Sequence, residues 1–138
     1  MLAEGDRLPR LTVVDDTGKP VATDDLLGAP LVLYFYPKDD TPGCTSEASQ
    51  FRDLYPKFQR KGARIVGVSR DGAASHQKFK AKYGIPFTLL ADTDSKLTDA
   101  LGVKGRTTFL IDGSGVIVKV WPKVKVDDHA DEVLASLP

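Results

Sequence analysis

One stretch dictates most of what this chain can become. An apolar run, Leu31-Val32-Leu33-Tyr34-Phe35-Tyr36, is followed at once by Pro37-Lys38-Asp39-Asp40-Thr41-Pro42-Gly43-Cys44-Thr45. The run is apolar at every position, as a central strand covered on both faces requires. Pro37 cannot donate to a strand ladder and begins a loop. A helical pattern leads out from about Thr45 or Ser46. The one cysteine of the chain therefore falls where a buried strand hands over to the first turn of a helix. Backbone N–H groups there are unpaired, and the helix dipole adds partial positive charge. Both favour thiolate over thiol, and the thiolate is the nucleophile. A free cysteine is more often a small buried hydrophobe, but Asp, Thr, Pro, Gly and Ser flank this one.

The rest of the chain supplies the frame for that handover. Leu11–Val14 and Lys19–Ala22 flank Asp15-Asp16-Thr17-Gly18 and read as a small amino-terminal hairpin. Ala48, Phe51, Leu54, Tyr55 and Phe58 recur at helical spacing after Cys44, with Pro56 expected to kink or split that helix. Arg64–Ser69 reads as a second core strand. Asp71 is placed to cap a helix running through Tyr83, with His76, Phe79 and Tyr83 on one face and Gly84 after its end. His76 on such a face is expected to be packed and hydrogen-bonded rather than catalytic. Pro86–Ala91 reads as a short strand. Asp94 is expected to cap a helix carrying Leu97, Ala100 and Leu101, closed by Gly102. Thr107–Ile111 and Val116–Trp121 flank Asp112-Gly113-Ser114-Gly115, a hairpin signal. A last helix starts at Asp127 or Asp128 and buries Ala130, Val133, Leu134 and Leu137. Helices between the early strands argue for parallel pairing, and the late hairpin adds antiparallel strands. The order is that of an α/β thioredoxin-like fold: a central mixed sheet flanked by helices, with the amino-terminal β-hairpin as an extension.

Length and charge narrow the function. At 138 residues the chain is read as a single domain, 1–138. Nineteen basic and nineteen acidic side chains cancel, so no basic excess points to nucleic acid or to an anionic membrane. No apolar run approaches membrane-spanning length, and the amino terminus lacks the apolar core of a signal peptide. With one cysteine no internal disulfide is possible, which together points to a reducing cytoplasm. His76 and His129 with one cysteine make no metal-ligand cluster, and no cofactor is expected.

Pro37, Thr41 and Cys44 spell P-x-x-x-T-x-x-C, and the fuller string runs Tyr34-Phe35-Tyr36-Pro37-Lys38-Asp39 through Thr41-Pro42-Gly43-Cys44-Thr45. This resembles the peroxiredoxins, and among them the PrxQ or bacterioferritin comigratory branch. Gly67–Asp71, Ser75-His76, Arg106–Asp112 and Trp121–Val126 extend the resemblance over nearly the whole chain. It implies a thiol peroxidase that reduces hydrogen peroxide and organic hydroperoxides through a sulfenic acid on Cys44. Such chemistry needs a thiolate, a cation beside it, and donors that align the peroxide oxygens. Thr41, three residues before Cys44, can bring its hydroxyl to both thiolate and peroxide. Gly43 and Cys44 offer backbone N–H groups. By resemblance, Pro37 shields the sulfur and Arg106 is the catalytic cation, and Glu47 is placed to hold the Arg106 guanidinium bidentately.

The chain departs from the resemblance at the resolving cysteine. In one subgroup it lies five residues after the peroxidatic one, here Ser49; in another it aligns with about Lys80. Ser49 fits a natural one-Cys enzyme and equally a Cys→Ser replacement. The expected partners are a peroxide and an external reductant, a thioredoxin-like protein or a small thiol. The expected state is a monomer or at most a weak dimer. Two other readings compete: a peroxide sensor or chaperone-like protein using the same thiol, and a cysteine hydrolase pairing Cys44 with His76 or His129. Turnover with a reductant separates the first, and ester hydrolysis dependent on a histidine would support the second.

Overall fold

The computed structural model describes all 138 residues. Strand β3 (Leu31–Phe35) lies at its centre and is buried along its whole length. Its side chains alternate between two cores. Val32, Tyr34 and Tyr36 join one cluster with Phe51, Phe58, Phe79, Leu89 and Val133. Leu31, Leu33 and Phe35 join the other with Val66, Val68, Leu97, Leu101 and Phe109. This is why the run carries no polar residue: both faces are covered.

Seven strands form one sheet in the order β2-β1-β5-β4-β3-β6-β7. Strands β3, β4 (Arg64–Ser69) and β5 (Thr88–Ala91) are parallel, as the intervening helices α1 (Pro42–Arg60) and α2 (Ala73–Tyr83) require. The hairpin of β6 (Thr107–Ile111) and β7 (Ile117–Trp121) adds antiparallel strands beside β3. The amino-terminal hairpin, β1 (Thr12–Asp15) and β2 (Pro20–Ala22), extends the same sheet through β5. Helices α1, α2 and α4 (His129–Ala135) pack on one face. Helix α3 (Lys96–Leu101) and a 3₁₀ turn at Thr23–Leu26 lie on the other. The result is the thioredoxin-like architecture expected from the element order. No helix is long and apolar enough to cross a membrane.

Four local expectations change. Helix α1 begins at Pro42, with Thr41 as its N-cap, not at Thr45 or Ser46. Proline suits the first helical position because its missing N–H would be unpaired there anyway. Pro56 does not split α1, which runs unbroken to Arg60. It lies on the exposed side, so the carbonyl it leaves without a donor can meet water, while the buried Phe51 and Phe58 anchor the helix on either side. Asp71 does not cap α2. The N-cap is Gly72, and the Asp71 carboxylate instead accepts from the Asp39 amide at 2.8 Å and the Ser69 hydroxyl at 2.7 Å. The start of α3 is held mainly by the buried Asp92, which accepts from the Leu97 and Thr98 amides at 3.1 and 2.8 Å, and Thr98 rather than Ala100 is buried. Asp94 contributes only a 3.4 Å contact to the Lys96 amide.

Candidate active site

The earlier start of α1 puts Cys44 on the third residue of the helix, inside its first turn. The first intrahelical bond is from the Thr45 amide to the Thr41 carbonyl, 2.8 Å. Pro42 has no N–H, so the amides of Gly43 and Cys44 are the two donors that the turn leaves free. The Cys44 side chain is 1% exposed. The sulfur sits at the carboxyl-terminal end of β3, where loops in open α/β sheets carry function.

Arg106 reaches this sulfur from the residue preceding β6, which lies next to β3 in the sheet. Its Nη2 donates to Cys44 Sγ at 3.4 Å, and its Nη1 donates to Glu47 Oε1 at 2.7 Å. The guanidinium is thus shared between the Cys44 sulfur and the Glu47 carboxyl, one helical turn apart on α1. This differs from the bidentate Arg106–Glu47 pair expected: one edge of the fork is taken by the sulfur, and Glu47 Oε2 is left buried without a partner. Burial outweighs the attraction of Arg106 and pushes the Glu47 carboxyl up to about 7. Burial also opposes the charge on Arg106, but Glu47 and Cys44 outweigh it and raise the guanidinium further.

Gly43 has a second role that spacing did not reveal. A Cβ built there would stand 3.0 Å from Arg106 Nη2, so the bare backbone is what lets the guanidinium approach Cys44. The Thr41 hydroxyl makes no hydrogen bond to Sγ; it donates to the Lys38 carbonyl at 2.9 Å. Pro37 is exposed at the mouth of the loop and helps line a 220 Å³ pocket with Phe35, Val68, Arg70, Val103 and Gly105. Ser49 is half-buried, five residues along α1 from Cys44. That separation is about 7–8 Å of helix rise and more than a full turn, so the two side chains do not meet while the helix is intact.

Neither histidine bonds the sulfur. His76 Nδ1 lies 2.7 Å from Asp39 Oδ2 and its Nε2 2.9 Å from the Leu90 carbonyl. His129 Nε2 lies 2.8 Å from the Thr108 hydroxyl, and burial together with the charge of Arg106 pushes its pKa down to about 4. A cysteine–histidine hydrolase finds no support in this arrangement. The expectation that His76 is packed and hydrogen-bonded agrees with its position.

A first-turn cysteine beside a thioredoxin-like sheet, contacted by an arginine just ahead of a neighbouring strand, is an arrangement suited to a thiol redox protein. Comparisons with known proteins sharpen that class. The AhpC/TSA family pattern matches residues 5–120. The peroxiredoxin Bcp of Bacillus subtilis is 44% identical over 147 residues, covering 96% of this chain and 93% of that protein. A cysteine-to-serine mutant of Xylella fastidiosa PrxQ superposes with a TM-score of 0.95 at 38% identity, covering 99% of this chain and 96% of that one. The Xanthomonas campestris bacterioferritin comigratory protein, described with an alkyl peroxide reduction activity, superposes with a TM-score of 0.89 at 42% identity, over 92% and 89% of the two chains. The chain belongs to the AhpC/TSA family, in its Bcp/PrxQ peroxiredoxin branch. Thiol peroxidase chemistry is the activity that defines this branch.

Proposed function

We propose that Cys44 is the peroxidatic thiolate of a one-Cys cycle acting on hydrogen peroxide and organic hydroperoxides. The observation that carries this reading is the Arg106 Nη2 contact with Cys44 Sγ at 3.4 Å, in a helix turn with two free amides. The thiolate attacks the terminal peroxide oxygen and the O–O bond breaks. Sulfur gains the S–O bond of a sulfenic acid, and the other oxygen leaves as alkoxide or hydroxide and takes a proton. Arg106 and the Gly43 and Cys44 amides stabilise the charge as it moves from sulfur to the leaving oxygen. Glu47 orients Arg106. The hydroxyl proton of Thr41 is committed to the Lys38 carbonyl, so its oxygen acts as an acceptor for the peroxide O–H. Pro37 walls the sulfur from bulk water.

The second half of the cycle needs thiols from outside. Ser49 stands at the resolving position and cannot form a disulfide. One external thiol condenses with the sulfenic acid, releasing water and leaving a mixed disulfide; a second thiol reduces that disulfide and restores Cys44. A thioredoxin-like protein or a small thiol fills this role, in the cytoplasm, with the enzyme acting as a monomer. Without reductant, excess peroxide drives Cys44 to sulfinic acid.

Stopped-flow mixing of the reduced protein with peroxide, followed by mass spectrometry, tests the reading. One fast turnover with a single added oxygen on Cys44 is expected, then turnover only with added thiol. Peroxide consumption retained in Cys44→Ser would overturn it, and a sulfenic acid that no thiol restores would favour a sensor over an enzyme.

A further inference from the structure

On the side away from Arg106, the turn that carries Cys44 is fastened to α2 by a second set of buried polar groups. Asp39, between Pro37 and Thr41, is 7% exposed. Its Oδ1 accepts from the Tyr36 hydroxyl at 2.6 Å, and its Oδ2 accepts from the Ser75 hydroxyl at 2.8 Å and lies 2.7 Å from His76 Nδ1. Its amide donates to the Asp71 carboxylate at 2.8 Å. Next along the chain, Asp40 takes the Lys82 ammonium at 2.8 Å and the Tyr83 hydroxyl. Helix α2 thus grips two successive residues of the loop.

His76 is fully buried, and both of its ring nitrogens face acceptors: the Asp39 carboxylate and the Leu90 carbonyl. A neutral imidazole has one N–H and one bare lone pair. Either tautomer would set that lone pair against an oxygen, whereas the imidazolium donates to both. The groups facing the ring are Asp39 from the loop, Asp71 from the β4–α2 connection, the Leu90 carbonyl from β5, and the Tyr36 ring from the end of β3. The two charged ones are carboxylates. Burial opposes the ring's charge, but the hydrogen bond and charge of Asp39 outweigh it, and the His76 pKa lies above the ordinary value.

We propose that His76 is a buried imidazolium and a positioning residue for the Cys44 turn: it holds Asp39, and Asp39 holds the backbone between Pro37 and Thr41. The kinetic consequence rests on the reading of Cys44 as the peroxidatic thiol. Peroxide attack needs the turn closed around the sulfur. An external thiol needs it open, because Cys44 is 1% exposed. His76 sets the balance. Its folded pKa lies above its unfolded value of about 6.5, so the latch is complete below that pH and is lost as pH rises through the folded pKa.

Two measurements test this. Nitrogen-detected NMR of the intact protein at pH 7, with the rings told apart by their contacts to Tyr36 and Trp121, is expected to show protons on both ring nitrogens of His76 and on one of His129. A single proton on His76, including a neutral pair with the proton on Asp39, overturns the proposal. Hydrogen exchange of the Asp39 and Thr45 amides is expected to accelerate on the order of ten- to a hundredfold in His76→Gln, the range set by a hydrogen bond to a charged group. Wild type is expected to open more as pH rises; the variant should lose that increase, slow the peroxide step and speed thiol reduction of the sulfenic acid. An alkaline increase that persists in His76→Gln overturns the proposal. A wild-type protein that shows no peroxide step but retains the doubly protonated His76 overturns the peroxidase reading and leaves the latch standing.

Discussion

Two buried carboxylates flank Cys44, and they have opposite fates. Asp39, five residues before it, receives three side-chain donors, from Tyr36, Ser75 and His76. Burial pushes its pKa up, but these bonds and the His76 charge outweigh burial and hold it below the usual carboxylate value. Glu47, three residues after, receives one donor, from Arg106, and keeps an unpartnered oxygen; burial prevails and lifts it to about 7. Burial alone does not decide the charge of an acid. The number of donors that come with it does. The difference has a cause in the chemistry: Arg106 gives its second edge to the sulfur, so Glu47 goes short, whereas the groups around Asp39 have no other anion to serve in the loop.

The strongest way to break the comparison is to remove the shared cation. Arg106→Met should slow the peroxide step on the order of ten- to a thousandfold, the range seen when one preorganised donor is lost, with the far-UV circular dichroism spectrum unchanged. It should also raise the Glu47 pKa further, because the one partner that lowers it is gone. A folded variant that reacts at the wild-type rate would transfer the role to another cation, with Lys38 the nearest in sequence.

Stability against pH should show the two acids with opposite slopes. Glu47 has a folded pKa above its unfolded one, so the folded state is favoured while it is protonated, and its contribution is lost as pH rises from about 4.5 toward 7. Asp39 has a folded pKa below its unfolded one, so its contribution is present above about 3.9 and lost as pH falls through the folded pKa. Glu47→Gln should remove the first slope at little cost in stability near pH 8, since it removes a desolvated charge. Asp39→Asn should cost about 3 kcal/mol at neutral pH, because it strands a buried imidazolium. Urea unfolding from about pH 3 to about pH 8 reads both. Equal losses for the two variants would show that the carboxylates are equivalent after all.

Much of this site is legible in the chain because strand, loop and helix follow one another without a break. The apolar run ending at Tyr36, the proline that stops it and the cysteine that follows place Cys44 at a helix start. What could not be read is what the fold brings from far away. His76 is 37 residues from Asp39, and only the parallel packing of β3, β4 and α2 sets them in contact. Asp71 offers a good capping residue, yet the Asp39 amide, also distant in sequence, claims its carboxylate. Local preference also misleads where a residue has two uses. Pro42-Gly43 resembles loop chemistry, but proline is equally suited to the first helical position, and Gly43 answers to a side chain 63 positions away.

That last contact gives the smallest and most selective effect. Gly43→Ala adds one methyl group to a helical position whose backbone any residue can adopt. It keeps the Gly43 amide as a donor and should leave stability unchanged or raise it by about 0.5–1 kcal/mol, through the lower entropy of the unfolded chain. The methyl carbon would meet Arg106 Nη2 at 3.0 Å. The guanidinium cannot retreat freely, because Nη1 is held by Glu47 at 2.7 Å; to make room it must lengthen its contact with Sγ. A shift of a few tenths of an ångström should lower the peroxide rate about three- to tenfold, well short of the loss for a full misplacement. Adding Glu47→Gln loosens the anchor, lets the arginine re-seat and should recover part of that loss. Stopped-flow rates for the two single variants and the double variant, each with its melting temperature, separate clearance from stability. An unchanged rate in Gly43→Ala would mean that the guanidinium re-seats without help, and that the bare backbone at this position serves only the helix turn.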